Sequence, residues 1–330
     1  MEKLNFKCIN QHAPQGYVHN FEFPIRIWKN TPGGKARGVV IMINGFLEGL
    51  IRSRGGQIKG DLIYDVIATK LIQDNFCSIL LPLPFHFERS LDFSDGFAPL
   101  SRLNKANGGN GAFLYRGGYT QIRADLIQLV KQLRSQPSDF NLAENFELHL
   151  LGYSIGGALA LGLFLDDDEH IDTIPFFDSI SILLSNYNIA SITSQQIDEY
   201  ESFRSIGLTG EMWTRFLADL DKNKDQIPDF LKFILWGDSV ELVAQKLKTV
   251  YSNHNAAQAT RLMFLNGLQD PLFPPNSLIQ RNNNIRILVD KYVNQPFIKT
   301  IMIQSGHDMI QNRHSIANEV LSFVGNNQIN

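Results

Sequence analysis

Two cysteines, Cys8 and Cys77, are all that 330 residues contain. That is too few for a disulfide framework, so the expected setting is a reducing, cytoplasmic compartment. A surplus of one charge is also missing: 30 Lys and Arg stand against 33 Asp and Glu, a formal net charge of -3. Nucleic-acid binding, which ordinarily goes with a basic stripe, is not expected. No run reaches the ~18 uninterrupted apolar residues of a membrane helix. The opening "MEKLNFKCINQHAPQG" lacks the apolar core of a secretion signal. No His/Cys cluster has zinc spacing. "DKNKDQIPDFLK" begins like a calcium loop with Asp221, Asn223 and Asp225. However, Gln226 stands at the turn glycine and Lys232 at the bidentate glutamate. "NKANGGNG" (104–111) has no Lys-Ser/Thr pair behind it to cradle a phosphate. These absences predict a soluble protein with no integral membrane segment, no metal and no required cofactor. Its oligomeric state stays open.

What the chain does have is apolar substance: 44% of its residues are hydrophobic and only 19% charged, enough for one large core. The apolar segments alternate between two kinds. Short unbroken runs such as "VVIMIN" (39–44), "FCSILLPL" (76–83), "FELHLLGY" (146–153), "DSISILLS" (178–185), "TRLMFLNG" (260–267) and "FIKTIMIQ" (297–304) predict buried strands. Between them, helical periodicity predicts helices over 60–73, 119–136, 158–164, near 276–293 and up to about 324. "FKCINQ" and "GYVHNFEFPIRIWKN" predict an opening antiparallel pair. Such alternation predicts an α/β fold with a mostly parallel sheet. Residues 187–258 break the rhythm with several amphipathic helices in succession and no strand between them. They predict a helical insertion on the sheet, giving a core of 1–186 and 259–330.

"GYSIGG" (152–157) joins a strand to a helix and puts Ser154 at the turn between Gly152 and Gly156. A nucleophilic hydroxyl needs exposure, an adjacent base and donors for the oxyanion it creates. A tight strand-to-helix turn thrusts the serine out at the carboxyl edge of the sheet and aims the next N–H, that of Ile155, at the reacting centre. Side chains two residues either side would collide, which explains the glycines. The pattern is the nucleophile elbow, G-x-S-x-G.

The partners of such a serine belong at the ends of later strands, acid before base. "FLNGLQDPLFPPNS" puts Asp270 just after the strand 260–267, and "IMIQSGHDMIQ" puts His307 just after the strand 297–304. Asp308 is a rival acid, better read as a first-turn carboxylate of the following helix. The second oxyanion donor is expected in "INGFLEG", where Gly45 lets the backbone turn and the N–H of Phe46, with Leu47 as the alternative, faces the serine. His149, inside an apolar strand, reads as a hydrogen-bonded core histidine. "DDDEH" (166–170) reads as a solvated helix end.

With these residues in place the chain resembles the α/β-hydrolase superfamily over nearly its whole length. "NGF" follows the third strand, "GYSIGG" forms the elbow, and "GLQDPLFPP" and "SGHDM" end later strands. The resemblance implies a helical lid where 187–258 falls. It also implies a serine hydrolase acting on a carboxylic ester or thioester through an acyl-enzyme on Ser154. In one respect the chain departs from many members: Asn44 replaces the histidine before the oxyanion glycine. Tyr153, Leu47, His86, Arg89, Trp213 and Phe233 are the candidate substrate contacts. The bulky residues of 187–258 and the phenylalanines of the loop 84–118 predict an apolar acyl or aryl group, although Arg89 offers an anchor for an acidic one. An acyltransferase or peptidase using the same triad, and a non-catalytic binding protein on a hydrolase fold, remain as alternatives.

Overall fold

A computed structural model describes residues 1–8, 22–29, 34–45, 61–83, 119–165, 177–185, 189–204, 208–227, 232, 235–236, 260–272, 298–307 and 312–325. The loop 84–118, the "DDDEH" stretch, the helix near 276–293 and nearly all of the block beyond residue 227 lie outside the described residues.

The strands are β1 (Glu2–Lys7), β2 (Glu22–Trp28), β3 (Ala36–Ile43), β4 (Phe76–Leu81), β5 (Leu142–Tyr153), β6 (Ser179–Leu183), β7 (Arg261–Gly267) and β8 (Ile298–Ile303). They form one sheet in the order β1-β2-β4-β3-β5-β6-β7-β8. β2 runs antiparallel to both its neighbours, and every pair from β4 to β8 is parallel. Parallel strands need crossovers, and the crossover helices cover both faces. This is why the central strands read as unbroken Val, Ile, Leu and Met rather than as an alternation.

The helices are α1 (Asp61–Gln73), α2 (Thr120–Ser135), α3 (Ile155–Leu165), α4 (Ser194–Glu199), α5 (Glu201–Arg204), α6 (Gly210–Asp221) and α7 (Arg313–Gly325). α1 and α7 pack on one face of the sheet, burying Ile67, Leu71 and Val320 against Val40, Met42 and Leu265. α2 and α3 cover the other, where Ile122, Leu126, Leu129 and Leu133 meet Ile41, Leu150 and Ile182. Those four α2 positions recur at helical spacing, as the periodicity requires. Pro137 and the left-handed Asn141 (φ 57°) then turn the chain into β5. The two outer strands are the exposed ones: β1 carries Glu2, Lys3 and Lys7, and β8 carries Lys299. Charges on an edge strand discourage pairing with a second chain.

Between β6 and β7 lie α4, α5 and α6. Thr193 and Gln196 form a reciprocal capping box at the start of α4. Thr209 caps α6, and the carboxylate of Asp198 accepts the Gly210 N–H at 2.7 Å, tying α4 to α6. No strand interrupts this stretch among the described residues. Nor is any described helix long and apolar enough to cross a membrane. Among the described residues no group of three or more His, Cys, Asp or Glu side chains could hold a metal ion. Both cysteines are buried thiols outside any disulfide, and burial pushes the Cys77 thiol up to about 12.

Candidate active site

Ser154 stands between the last residue of β5 and the first of α3 with φ 51°, a left-handed conformation that costs a non-glycine residue of order 1 kcal/mol or more. The surroundings hold it there. Its N–H donates to the Leu183 carbonyl at 2.8 Å, and its carbonyl accepts from Gly157 and Ala158 at 3.0 and 3.2 Å. The turn is too tight for side chains beside it. A Cβ on Gly152 would lie 2.5 Å from the Gly156 carbonyl carbon, and one on Gly156 would lie 2.6 Å from the Ile43 carbonyl oxygen. The elbow therefore packs directly onto the end of β3. Ile155 opens α3, so its N–H belongs to the first turn of a helix, where no intrahelical acceptor exists.

The loops after β7 and β8 approach each other as closely. A Cβ on Gly267 would meet the Ser305 carbonyl carbon at 3.1 Å, and the Gln269 N–H donates to that carbonyl at 3.0 Å. The approach puts Asp270 beside His307. His307 Nδ1 lies 2.9 Å from Asp270 Oδ2, and His307 Nε2 lies 3.0 Å from Ser154 Oγ. An ionised carboxylate only accepts, so Nδ1 carries the proton and Nε2 is left to accept from the serine hydroxyl. The other carboxylate oxygen of Asp270 accepts the Leu272 N–H at 2.9 Å, which fixes the plane of the group. Asp270 is 4% exposed and His307 7%, whereas Ser154 is half-buried. Water is kept from the histidine and the aspartate but not wholly from the serine.

Of the expected site residues, Ser154, Asp270, His307 and Ile155 come together. Asp270 is the carboxylate on the histidine among the described residues; Asp308 lies outside them, as do Phe46, Leu47, His86, Arg89 and Phe233. Gly45 is the last described residue of the loop after β3. Asn44, fully buried before it, donates from Nδ2 to the Gly45 carbonyl and accepts the Leu83 N–H through Oδ1, both at 2.7 Å. It thus ties the ends of β3 and β4 together. The ring of Tyr153 lies in the apolar layer beneath the sheet, and its hydroxyl donates to the His307 carbonyl. Trp213 is a packing residue of the helical stretch: its Nε1 donates to the Ile192 carbonyl at 2.8 Å and its ring stacks on Phe216.

Two residues at the site were not anticipated. The ring of Tyr200 stands at 83° to the His307 imidazole with centroids 6.0 Å apart. The amide of Gln196 donates to the Pro271 carbonyl at 2.6 Å, next to Asp270. The T-x-x-Q capping box was a signal for the placement of Gln196 on a helix, but nothing local marks its second bond. Tyr200 has no signal of its own, since it sits within an amphipathic pattern.

No protein-family model matches the chain, and no curated protein matches it in sequence. Solved structures do share its path. A thermostable esterase from Pseudomonas putida is 10% identical, with 100% of this chain and 83% of that one covered and a TM-score of 0.55. An esterase of Pyrobaculum calidifontis is 10% identical over 98% of this chain and 83% of that one, with a TM-score of 0.53. A Pyrococcus furiosus esterase is 11% identical over 98% and 90%, with a TM-score of 0.51. At such identities the likeness is one of fold.

Proposed function

Because this chain has the α/β-hydrolase fold, we propose that it is a serine hydrolase of carboxylic esters or thioesters. The observation that carries the reading is the unbroken relay from Ser154 Oγ through both His307 nitrogens to Asp270, at the carboxyl ends of three parallel strands. Ligands of open α/β sheets bind at that edge. The similar proteins of Pseudomonas putida, Pyrobaculum calidifontis and Pyrococcus furiosus are esterases, which points the same way.

In this mechanism Ser154 Oγ attacks the carbonyl carbon while His307 Nε2 takes its proton. Asp270 holds the tautomer and stabilises the imidazolium. The N–H groups of Ile155 and Phe46 receive the oxyanion, and Asn44 braces the loop that leads to Phe46. The tetrahedral intermediate collapses, and His307 returns the proton to the departing alkoxide or thiolate. A water molecule then attacks the acyl-enzyme with the same histidine as base, releasing the acid and restoring the serine. Residues 187–258 act as a lid over an apolar acyl or aryl group. The two buried cysteines, neither in a disulfide, fit a reducing, cytoplasmic setting.

Labelling by a fluorophosphonate, located by mass spectrometry, tests the nucleophile: Ser154 alone is expected to carry the adduct, and an adduct on another serine overturns the assignment. An ester series from acetyl to octanoyl tests the acyl group. Each buried CH₂ is worth ~0.8 kcal/mol, about fourfold in kcat/KM. The profile should climb and then fall where the pocket ends; a flat profile, or a preference for a charged acid, removes the apolar pocket and favours Arg89 as an anchor. Product analysis with added alcohols or amines separates hydrolysis from acyl transfer.

A further inference from the structure

We propose that Tyr153 is a positioning residue for His307, holding the base through its backbone at a fixed distance from the nucleophile; this rests on the serine-hydrolase reading. His307 follows β8, an edge strand with β7 as its single neighbour, and Gly306 precedes it. Among the described residues, a histidine in that position has strand pairing on one side only. Its side chain is bonded at both nitrogens; the Nδ1 bond to Asp270 is kept through the reaction, but the Nε2 bond must break and re-form. The Nε2 contact to Ser154 is lost as soon as the serine attacks.

The backbone bond persists through that change. The Tyr153 hydroxyl donates to the carbonyl of His307. Tyr153 and Ser154 are consecutive, so two neighbouring residues of one chain segment grip the same residue 153 or 154 positions away, one by its carbonyl and one by its ring. Strand geometry sends successive side chains to opposite faces, and the left-handed turn at Ser154 is what lets both reach His307. The anchor itself is rigid. Tyr153 is 5% exposed and ends the longest strand of the sheet, which pairs with both β3 and β6. Its ring lies 5.8 Å from the imidazole, at 33°. The hydroxyl is therefore already committed to a protein carbonyl. That accounts for the residue better than a contact to substrate does.

The test compares wild type with Tyr153→Phe, which keeps the ring and removes only the hydroxyl. Rates are expressed per Ser154 titrated by fluorophosphonate, so unfolded chains do not count. The expected result is a kcat lower by about 10- to 100-fold, the effect of a base displaced by a fraction of an ångström to 1 Å, with KM within about twofold. Leu71→Ala, in the same apolar layer but remote from the site, lowers the melting temperature without lowering kcat. Three results overturn the proposal: a kcat for Tyr153→Phe within twofold of wild type, a raised KM at unchanged kcat, which makes Tyr153 a substrate contact, or an equal loss of kcat in Leu71→Ala. If instead wild type neither labels at Ser154 nor turns over esters, the underlying hydrolase reading fails, and with it the premise for a base to position.

Discussion

Two serine–histidine–carboxylate sets lie on this one sheet. In the first, Ser154 Oγ and Asp270 Oδ2 flank His307 at 3.0 and 2.9 Å. In the second, Ser179 Oγ lies 2.8 Å from His149 Nδ1, and Glu147 Oε2 lies 3.3 Å from Nε2. Glutamate accepts, so Nε2 carries the proton and the serine donates to Nδ1. The direction of bonding is the same in both sets. Everything around it differs. His149 and Ser179 face each other as register partners in the middle of β5 and at the start of β6, and both are fully buried. No helix begins after Ser179 to supply an oxyanion donor. Burial holds the His149 pKa below its ordinary value, with the bond to Glu147 opposing it. Residue types and pair distances do not by themselves make a hydrolytic centre. Position at the carboxyl edge, a strained turn that exposes the hydroxyl, and donors for the oxyanion do.

The largest effect separating the two sets is expected at the serines. Ser154→Ala should lower kcat on the order of 10⁶-fold and abolish fluorophosphonate labelling, whereas Ser179→Ala should leave kcat within twofold. The reverse pattern exchanges the roles. At the acids, Asp270→Asn should cost kcat about 10⁴-fold by favouring the wrong tautomer. Glu147→Gln should leave the rate alone. A silent Asp270→Asn beside a crippled Asp308→Asn means that the other carboxylate serves the base. A smaller effect sharpens the comparison from the structural side. Ser179→Ala leaves a buried ring nitrogen without its donor and should reduce unfolding free energy by about 1–3 kcal/mol in denaturant titration.

The smallest effect is a pH slope. A histidine whose folded pKa is depressed takes up its proton more readily when unfolded. His149 therefore contributes stability that is full above the unfolded value of about 6.5 and is lost as pH falls below it toward the folded pKa. The wild-type melting temperature should drop more steeply from pH 7 to 5 than that of His149→Gln. Parallel slopes would mean that other groups govern the acid limb.

The sequence made the parallel strands legible because burial on both faces leaves unbroken apolar runs. It also made Ser154, Asp270 and His307 legible, because each ends such a run. What it hid has physical causes. β5 begins at Leu142, four residues before the apolar run, because an irregular pairing against β3 between Ala36 and Gly38 leaves Glu144 and Asn145 exposed within the strand. β1 starts at Glu2 rather than Phe6, since an exposed edge strand has no apolar pattern to read. α3 starts at Ile155, not Ala158: Gly156 and Gly157 read as a turn but are helical, and their smallness serves packing on β3 and β6. Within the predicted helical block, the helix that starts at Ser194 ends at Tyr200, whose backbone is extended and whose ring stands edge-on to His307. That break depends on contacts from outside the segment, which periodicity does not encode. His149 was legible as a core residue by the same test that marked His307: one lies within a strand, the other just past its end.

The hydrogen bond from Ser154 to His307 spans 153 residues, while that from His307 to Asp270 spans 37. A ribosome adds about 5–20 residues per second. The elbow is thus made roughly 8–30 s before its base. Throughout that interval the nascent chain carries a serine with no histidine to deprotonate it, at the tip of a sheet still lacking its last strand. If the proposed mechanism holds, hydrolytic competence cannot precede the synthesis of His307. A reactive ester added during translation should therefore report only chains that already include His307.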